Sequence, residues 1–465
     1  MKKIIIYTAL AFIATTFTSC ESIVDGINID PNHIGVNDID PGLYINTPEL
    51  GLVEELRGMN GRMAALWTGQ IIGTNNFPLA YYNYQVTEST FDFGGYHSVI
   101  TQCKHIQDAA PRNKLYQGLT RVLEAYLFGT YASLYGDVPA TEVATDIDYP
   151  KFESQKSVLA YSQRLLDEAI EYFKAENAPS YKQDYLLGGN VKRWIENTYT
   201  LKARFYTLTK EYDKAYDCAL QGVSSDANSM YFVPVNDASK NNKNNWYTYS
   251  LNQFFGTQDL EGKQSFLFDV LDKRRNSKTD ETARKAFYFI DPTNAEPNHG
   301  IASSLQKEPL ITYAENLLIL AETGSRTKGF STGLKYLNQL RQFYQQGGSV
   351  NEFYASYPHK YENYDNSDFE NGGLLNSDNL TPIRALLREI ILERYISGFT
   401  TFTPWDDARR LRGSGESDIA VDIPLNNSTV SAQPERFYYP ETEMLSNPKA
   451  PADPGIFAPT EINKK

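Results

Sequence analysis

Cysteine is nearly absent from this chain, with three in 465 residues at positions 20, 103 and 218. That excludes a disulfide-built scaffold and a cysteine-rich zinc site. Histidine is almost as scarce: the five residues (33, 97, 105, 299, 359) form no close pair and no HExxH, so the helical zinc motif is missing too. Basic residues are outnumbered, 44 Lys and Arg against 57 Asp and Glu, for a formal charge of −13. This argues against nucleic acid as a partner, which calls for clustered Lys and Arg. Long hydrophobic runs are also lacking. A spanning helix needs ~20 apolar residues, whereas the run from Ile4 to Ala14 is too short, and NLLILA (316–321) and EIIL (389–392) are helix-core sized.

The short run at the start has another reading. Lys2 and Lys3 precede it and small residues follow it, ending at Phe17-Thr18-Ser19-Cys20; this is the layout of a secretory signal. A cysteine directly after small residues is the acceptor pattern of a bacterial lipoprotein, with Cys20 as the lipidated new N-terminus; an unmodified cysteine in an ordinary signal peptide is the simpler alternative. Two or more acyl chains would hold the mature body beside a bilayer, where one would not. Residues 1–19 are therefore expected to be a signal peptide. Residues 20–42, rich in Asn, Asp, Gly and Pro, read as a lipidated N-terminus and tether. Residues 43–465 are left as the body, and removing Lys2 and Lys3 takes the charge to −15.

What the chain has in excess is aromatic residues: 33 Tyr, 24 Phe and 4 Trp. Tyrosine combines a flat apolar face with a polar tip, suited to sugar rings and extended peptides as well as to ordinary cores. The body reads as mainly helical, with helices in pairs. RVLEAYLFGTYASLYGD carries apolar residues at 122/123, 126/127, 130/131 and 134/135, a steady stripe down one face at helical spacing. In NVKRWIENTYTLKARFYTLTK, Asn190 suits an N-cap, and Trp194, Thr198, Leu201, Phe205 and Leu208 recur along one face. TPIRALLREIILERYISGF begins with Thr381 as cap and Pro382 at the first helical position; ITYAENLLILAET and GLKYLNQLRQF form a further pair. Ala203, Tyr206, Ala215 and Gly222 have the small–Tyr–small–small spacing of a tetratricopeptide repeat, with Lys202 departing from it. Cys218, in YDKAYDCALQGV, reads as a buried thiol rather than half of a bridge to Cys103.

Three stretches, roughly 70–100, 225–305 and 346–380, lack periodicity and read as long loops, which inside a folded body tend to be functional. They hold clustered aromatics: Phe77, Tyr81, Tyr82 and Tyr84; Trp246, Tyr247 and Tyr249; Tyr354, Tyr357, Tyr361 and Tyr364. No catalytic motif accompanies them. GSRTKGF (324–330) lacks the GK[ST] ending of a phosphate loop and GSGES (413–417) the order of a nucleophile elbow. Two carboxylates meeting in space could still cleave a glycosidic bond. Other strings are structural: Gly136 closes a helix in LYGDVPA, Pro139 stops its continuation, Asp406 and Arg410 are spaced for an ion pair, and Trp405 reads as core.

Several strings, in this order, resemble the SusD/RagB family of outer-membrane nutrient-binding lipoproteins. They are LYGDVPATEV (134–143), GNVKRWIENTYTLKARFY (189–206), ITYAENLLILAET (311–323), LREIILERYISGF (387–399) with PWDDARR (404–410), and ERFYYPETEMLSNP (435–448). Phe17 and Ser397 depart from the pattern, the latter standing where a glutamate is expected. The resemblance implies an α-superhelical scaffold of four tetratricopeptide-like helix pairs with loop-rich insertions. It implies surface display on the outer membrane through Cys20, and a SusC-type TonB-dependent β-barrel transporter as partner. The lipoprotein would act as a hinged lid that captures an oligomer and hands it down without breaking a bond, needing no cofactor or metal. A glycan is the expected ligand and a peptide the alternative; a surface glycosidase and a pure protein-interaction scaffold are the readings from other classes.

The family's motifs carry no ligand residues across. From the residues themselves, flat rings beside amides suit oligomer binding. Trp246, Tyr247 and Tyr249 within NNKNNWYTYS (241–250), and Tyr81 and Tyr82 with Asn75 and Asn76 upstream, are the candidates.

Overall fold

A computed structural model of the protein describes residues 40–175, 183–235, 243–250, 260–262, 264–288, 300–348 and 351–464. Cys20, the expected signal peptide and all but the end of the expected tether lie outside them. The elements run α1 (Asn46–Arg57), α2 (Met59–Trp67), β1 (Ile72–Gly73), α3 (Asn76–Tyr82), α4 (Gly94–Ala109) and α5 (Lys114–Tyr135). Then come β2 (Val138–Pro139), β3 (Phe152–Glu153), α6 (Gln155–Lys174), α7 (Val191–Leu208), α8 (Tyr212–Ala219), β4 (Met230–Phe232), α9 (Asn245–Ser250) and β5 (Leu260–Glu261). The second half holds α10 (Phe266–Lys273), β6 (Thr279–Asp280), α11 (Thr282–Tyr288), β7 (Glu308–Ile311), α12 (Tyr313–Lys328), α13 (Phe330–Gln345), α14 (Asn351–Ser356) and β8 (Lys360–Tyr361). It ends with α15 (Asn366–Phe369), α16 (Pro382–Ser397), α17 (Thr403–Gly413) and α18 (Glu441–Ser446).

The expectation of a mainly helical scaffold of paired helices holds. α5 packs on α6, α7 on α8, α12 on α13 and α16 on α17, and α6–α7, α8–α12 and α12–α16 contacts join each pair to the next. The ends follow local chemistry. Asn190 accepts a hydrogen bond from the Arg193 N–H at the start of α7, and Gly136, at φ 89°, closes α5 in a conformation that disfavours other residues. The α7–α8 pair explains the repeat-like spacing: Ala203 and Ala215 are fully buried. A side chain on Gly222 would collide with Asn316 and Thr200. Lys202, which departs from that spacing, is buried and paired with Asp167 at 2.7 Å.

Four readings need correction. The stripe on α5 is not one-sided: nearly every residue from Leu115 to Tyr135 is buried, because α1, α4, α6 and α7 surround the helix. Asp406 pairs not with Arg410 but with Arg409, three residues on, leaving Arg410 for Asp407 and Glu322. Cys103 and Cys218 are both free thiols, Cys103 buried but Cys218 only half-buried. The long stretches between the pairs are not structureless; they contain α3, α9, α10, α11, α14 and α15 and two-stranded ladders such as β1–β5 and β6–β8. Helices of four to eight residues are too short to leave a periodic signal.

Those insertions are tied to the scaffold by buried charge. Glu389 and Glu393, one turn apart on α16, are almost fully buried and face two arginines of the insertion. Arg274 pairs with Glu389, Glu393 and Glu281, and Arg284 with Glu281 and Glu393. Tyr361 and Tyr364, from the third aromatic cluster, donate their hydroxyls to Glu281 (2.7 Å) and Glu389 (3.2 Å) and are themselves buried. Ser397, where a glutamate was expected, donates to Glu393 at 2.6 Å and accepts from Arg284 at 3.3 Å. On its other side α16 offers Arg394, bound by both oxygens of Asp407 at 2.6 and 3.0 Å. Trp246 also belongs to this interior: it is 1% exposed and packs on Phe399, centroids 6.0 Å apart. It is a core residue and offers no face to a ligand here.

Three substitutions test this packing. Glu393→Ala leaves Arg274 and Arg284 short of a buried counter-charge, a situation that costs about 3–5 kcal/mol; urea unfolding measures it. Burial alone would raise the Glu393 carboxyl, but Arg274 and Arg284 hold it well below its ordinary value of 4.5. Its contribution is therefore complete above pH 4.5 and is lost as pH falls below that value. The variant's deficit relative to wild type should shrink on acidification, and a deficit that stays constant would remove Glu393 from the linkage. Trp246→Ala should cost about 3–5 kcal/mol as a large core truncation. Phe77→Ala, at a side chain 55% exposed, should stay within about 0.5 kcal/mol.

Candidate ligand-binding face

α3 is a surface helix with no buried residue. Its rings divide: Tyr81 and Tyr82 rest against the core from the edge of the helix, while Phe77 is turned outward. Phe77 and Tyr81, one turn apart, stack at 6.0 Å with their planes 20° apart; Phe77 is 55% exposed and Leu79 40%, while Tyr81 and Tyr82 are half-buried. Asn75 is exposed at the N-cap position and makes no side-chain cap bond, so its amide is not spent on the helix. The result is a flat apolar face with amides at its edge.

The helix is held rigidly from below. The Trp67 indole N–H donates to the Tyr81 carbonyl at 3.0 Å. Asn427 donates to the Asn83 carbonyl at 3.0 Å, and the Asn426 N–H to the Tyr84 hydroxyl at 2.9 Å. The two residues bracketing α3, Asn76 at φ 49° and Tyr84 at φ 63°, both take left-handed backbone. Such conformations cost energy in non-glycine residues and persist where surrounding contacts enforce them. Burial pushes the hydroxyls of Tyr81 and Tyr82 up from 10.0, so at neutral pH both remain protonated and able to donate.

The second candidate cluster is split. Trp246 is in the core, as described. Tyr247 is half-buried on α9, its N–H received by the Asn244 side chain at 2.9 Å. Tyr249 lies in the backbone of α9, its side chain outside the described residues. The antiparallel β1–β5 ladder, pairing Ile72 with Glu261 and Gly73 with Leu260, ties the strand preceding α3 to the segment following α9.

Folding also assembles a groove that no local string announced. It encloses about 690 Å³, open solvent at its mouth included, with walls of Tyr231, Phe287, Tyr288, Phe343, Tyr354 and Phe399 and polar groups from Arg284, Gln306 and Lys307. Lys307 sits over the Tyr231 ring at 4.0 Å. Tyr288 also lines a small depression shared with Gln70 and Gly262, residues next to the β1–β5 ladder. Its members span residues 231 to 399 and could not be grouped before the chain was folded. Phe77 was visible within its cluster; its exposure was not. Among the described residues no group of His, Cys, Asp and Glu side chains could hold a metal ion, and no helix is long and apolar enough to cross a membrane.

Residues 34–440 match the SusD-like family described as starch-binding and associating with outer membrane. No curated protein matches the sequence. Among solved structures, a SusD homologue from Bacteroides fragilis superposes with a TM-score of 0.68 at 18% identity, covering 92% of this chain and all of that one. A SusD/RagB family protein from Bacteroides thetaiotaomicron gives 0.64 at 18% identity, covering 88% and 95%. A chitin-binding SusD homologue from Flavobacterium johnsoniae gives 0.62 at 15% identity, covering 90% and 98%. With the family matched over most of its length and the paired-helix scaffold shared with these structures, the chain belongs to the SusD-like family.

Proposed function

We propose that this protein captures a nutrient glycan on the α3 face and delivers it to a SusC-type TonB-dependent transporter in the outer membrane. The observation that carries this reading is the Phe77–Tyr81 stack, its Phe77 face open to solvent, with Asn75 at its edge. Sugar rings present flat C–H faces and a rim of hydroxyls; stacked aromatics bind the first and amides the second. Membership of a family described as starch-binding supports a glycan over a peptide, as does the chitin binding stated for one structural relative. The step is capture and transfer, with no bond broken: the protein is a lid, and energised import belongs to the barrel. Lipidated Cys20 would hold the body at the cell surface, with residues 20–42 as the leash that lets the lid swing on its hinge.

Two experiments test this. A panel of soluble glycans titrated calorimetrically against full-length protein in mild detergent should find a binder. Phe77→Ala with Tyr81→Ala should weaken it about tenfold or more, the scale expected for losing two stacking faces, and Phe77→Ala alone should weaken it while leaving the unfolding midpoint nearly unchanged. Undiminished affinity would move the site off α3. Isolation from the native outer membrane should co-purify a large β-barrel, and Cys20→Ala should leave the protein unanchored; a wild-type protein recovered soluble and alone would defeat the lid reading.

A further inference from the structure

Beside the aromatic groove, and sharing Pro309, Thr312 and Ser397 with it, lies a second cleft enclosing about 790 Å³, open solvent at its mouth included. Its floor is made where the ends of α1, α5 and α7 meet the α16–α17 turn, and it is lined by three arginines, Arg57, Arg204 and Arg394.

Two of the three are accounted for. Arg204 is clamped by both oxygens of Glu315 and also donates to the Tyr126 hydroxyl and the Leu310 carbonyl. Arg394 has Asp407, although its Nη1 is buried without a hydrogen-bond partner. The other carboxylates lining the cleft are committed: Glu315 to Arg204, and Asp406 to Arg409 and Ser133.

Arg57 is different. It is 3% exposed, its Nε is buried without a partner, and no carboxylate among the described residues stands within ion-pair distance of it. Among the described residues its one hydrogen bond goes to the Thr400 carbonyl. Thr400 is a β-branched residue at φ 69°, where such residues are rarely found. Glu308 acts on Arg57 only from farther away, and burial pushes the Glu308 carboxyl up to about 7 against the pull of Arg57; at neutral pH it supplies only part of a negative charge. A buried guanidinium lacking a close counter-ion is costly, and proteins pair such charges.

From this geometry we infer that the cleft at Arg57 is an anion subsite that receives the carboxylate of an acidic sugar, a hexuronate unit of the captured glycan. Arg57 supplies the unpaired charge, Arg394 an additional unpartnered N–H, and the half-buried Pro309, Thr312 and Phe402 a wall for the ring. The preference for a carboxylate stands on the cleft alone. That the carboxylate belongs to a sugar rests on the glycan reading above.

Calorimetric titration of full-length protein in mild detergent with trigalacturonate, and with the same trimer after its carboxyls are reduced to alcohols, tests this directly. The acid form should bind about tenfold or more tighter, as expected for hydrogen bonds to a charged group. Arg57→Met should erase that difference, and Arg57→Lys should keep part of it. Should Arg57→Met fail to fold, the wild type decides alone: sodium galacturonate must raise its unfolding temperature and galactose must not. Equal binding of the two trimers, or a preference untouched by Arg57→Met, overturns the inference and leaves glycan capture on α3 standing. A preference for a peptide with a free C-terminal carboxylate over its amide, with neither trimer bound, overturns the sugar assignment and counts against the glycan reading as well.

Discussion

Glu393 is where the scaffold and its insertions are joined. Placed near the end of α16 and nearly sealed from water, it receives Arg274 and Arg284 from a segment more than a hundred residues upstream. Glu389 and Ser397, one turn before and after it, complete a polar stripe that the insertion must meet in one register. Buried ion pairs add little stability compared with apolar packing, but breaking one leaves a stranded charge. A slipped arrangement of residues 274–288 would strand several at once. The network thereby determines where α11 lies, and with it Phe287 and Tyr288, two walls of the aromatic groove.

The opposite flank of the same helix does the corresponding work for the scaffold. Arg394 meets Asp407 of α17, and Glu322 of α12 collects Arg326, Arg394 and Arg410. One helix thus locks two neighbours by charge while its apolar residues fill the core between them. This is why strings such as LREIILERYISGF carry a family signature: their alternation of buried acid, buried base and aliphatic residues is a description of three interfaces at once.

The scaffold was legible because its helices are long enough to show their period and their caps. Asn190 and Gly136 mark helix ends by chemistry that needs no tertiary context, and the Trp194-to-Leu208 stripe on α7 is buried as its spacing requires. Pairings that depend on distance along the helix were less so. Asp406 chose Arg409 over Arg410 because Glu322 and Asp407 compete for the latter, and a helix-spacing rule contains no such competitor. The aromatic clusters divide for the same reason. NNKNNWYTYS and NNFPLAYYNY are both rich in Asn and aromatic residues, yet Trp246 is sealed beneath Phe399 while Phe77 stands in solvent. The covering ring comes from just beyond α16, more than 150 residues away in sequence, and no local pattern announces it.

The two candidate surfaces differ in what they can discriminate. A stacked pair on an exposed helix accepts any ring with an apolar face and grips without much selectivity. Selectivity comes from groups that are costly to leave unmatched, and these are the buried ones. In a chain with 57 acids against 44 bases, an exposed cation would be partly offset by surrounding negative charge and screened by salt. A guanidinium recessed between helices escapes much of both. Arg57 is such a group: shielded from the acidic surface, without a carboxylate in contact among the described residues, and lining a cleft that meets the aromatic groove at Pro309, Thr312 and Ser397. Generic adhesion on an outer face and chemical choice in an inner cleft are separable tasks, and the proposed α3 face and Arg57 cleft would keep them separate.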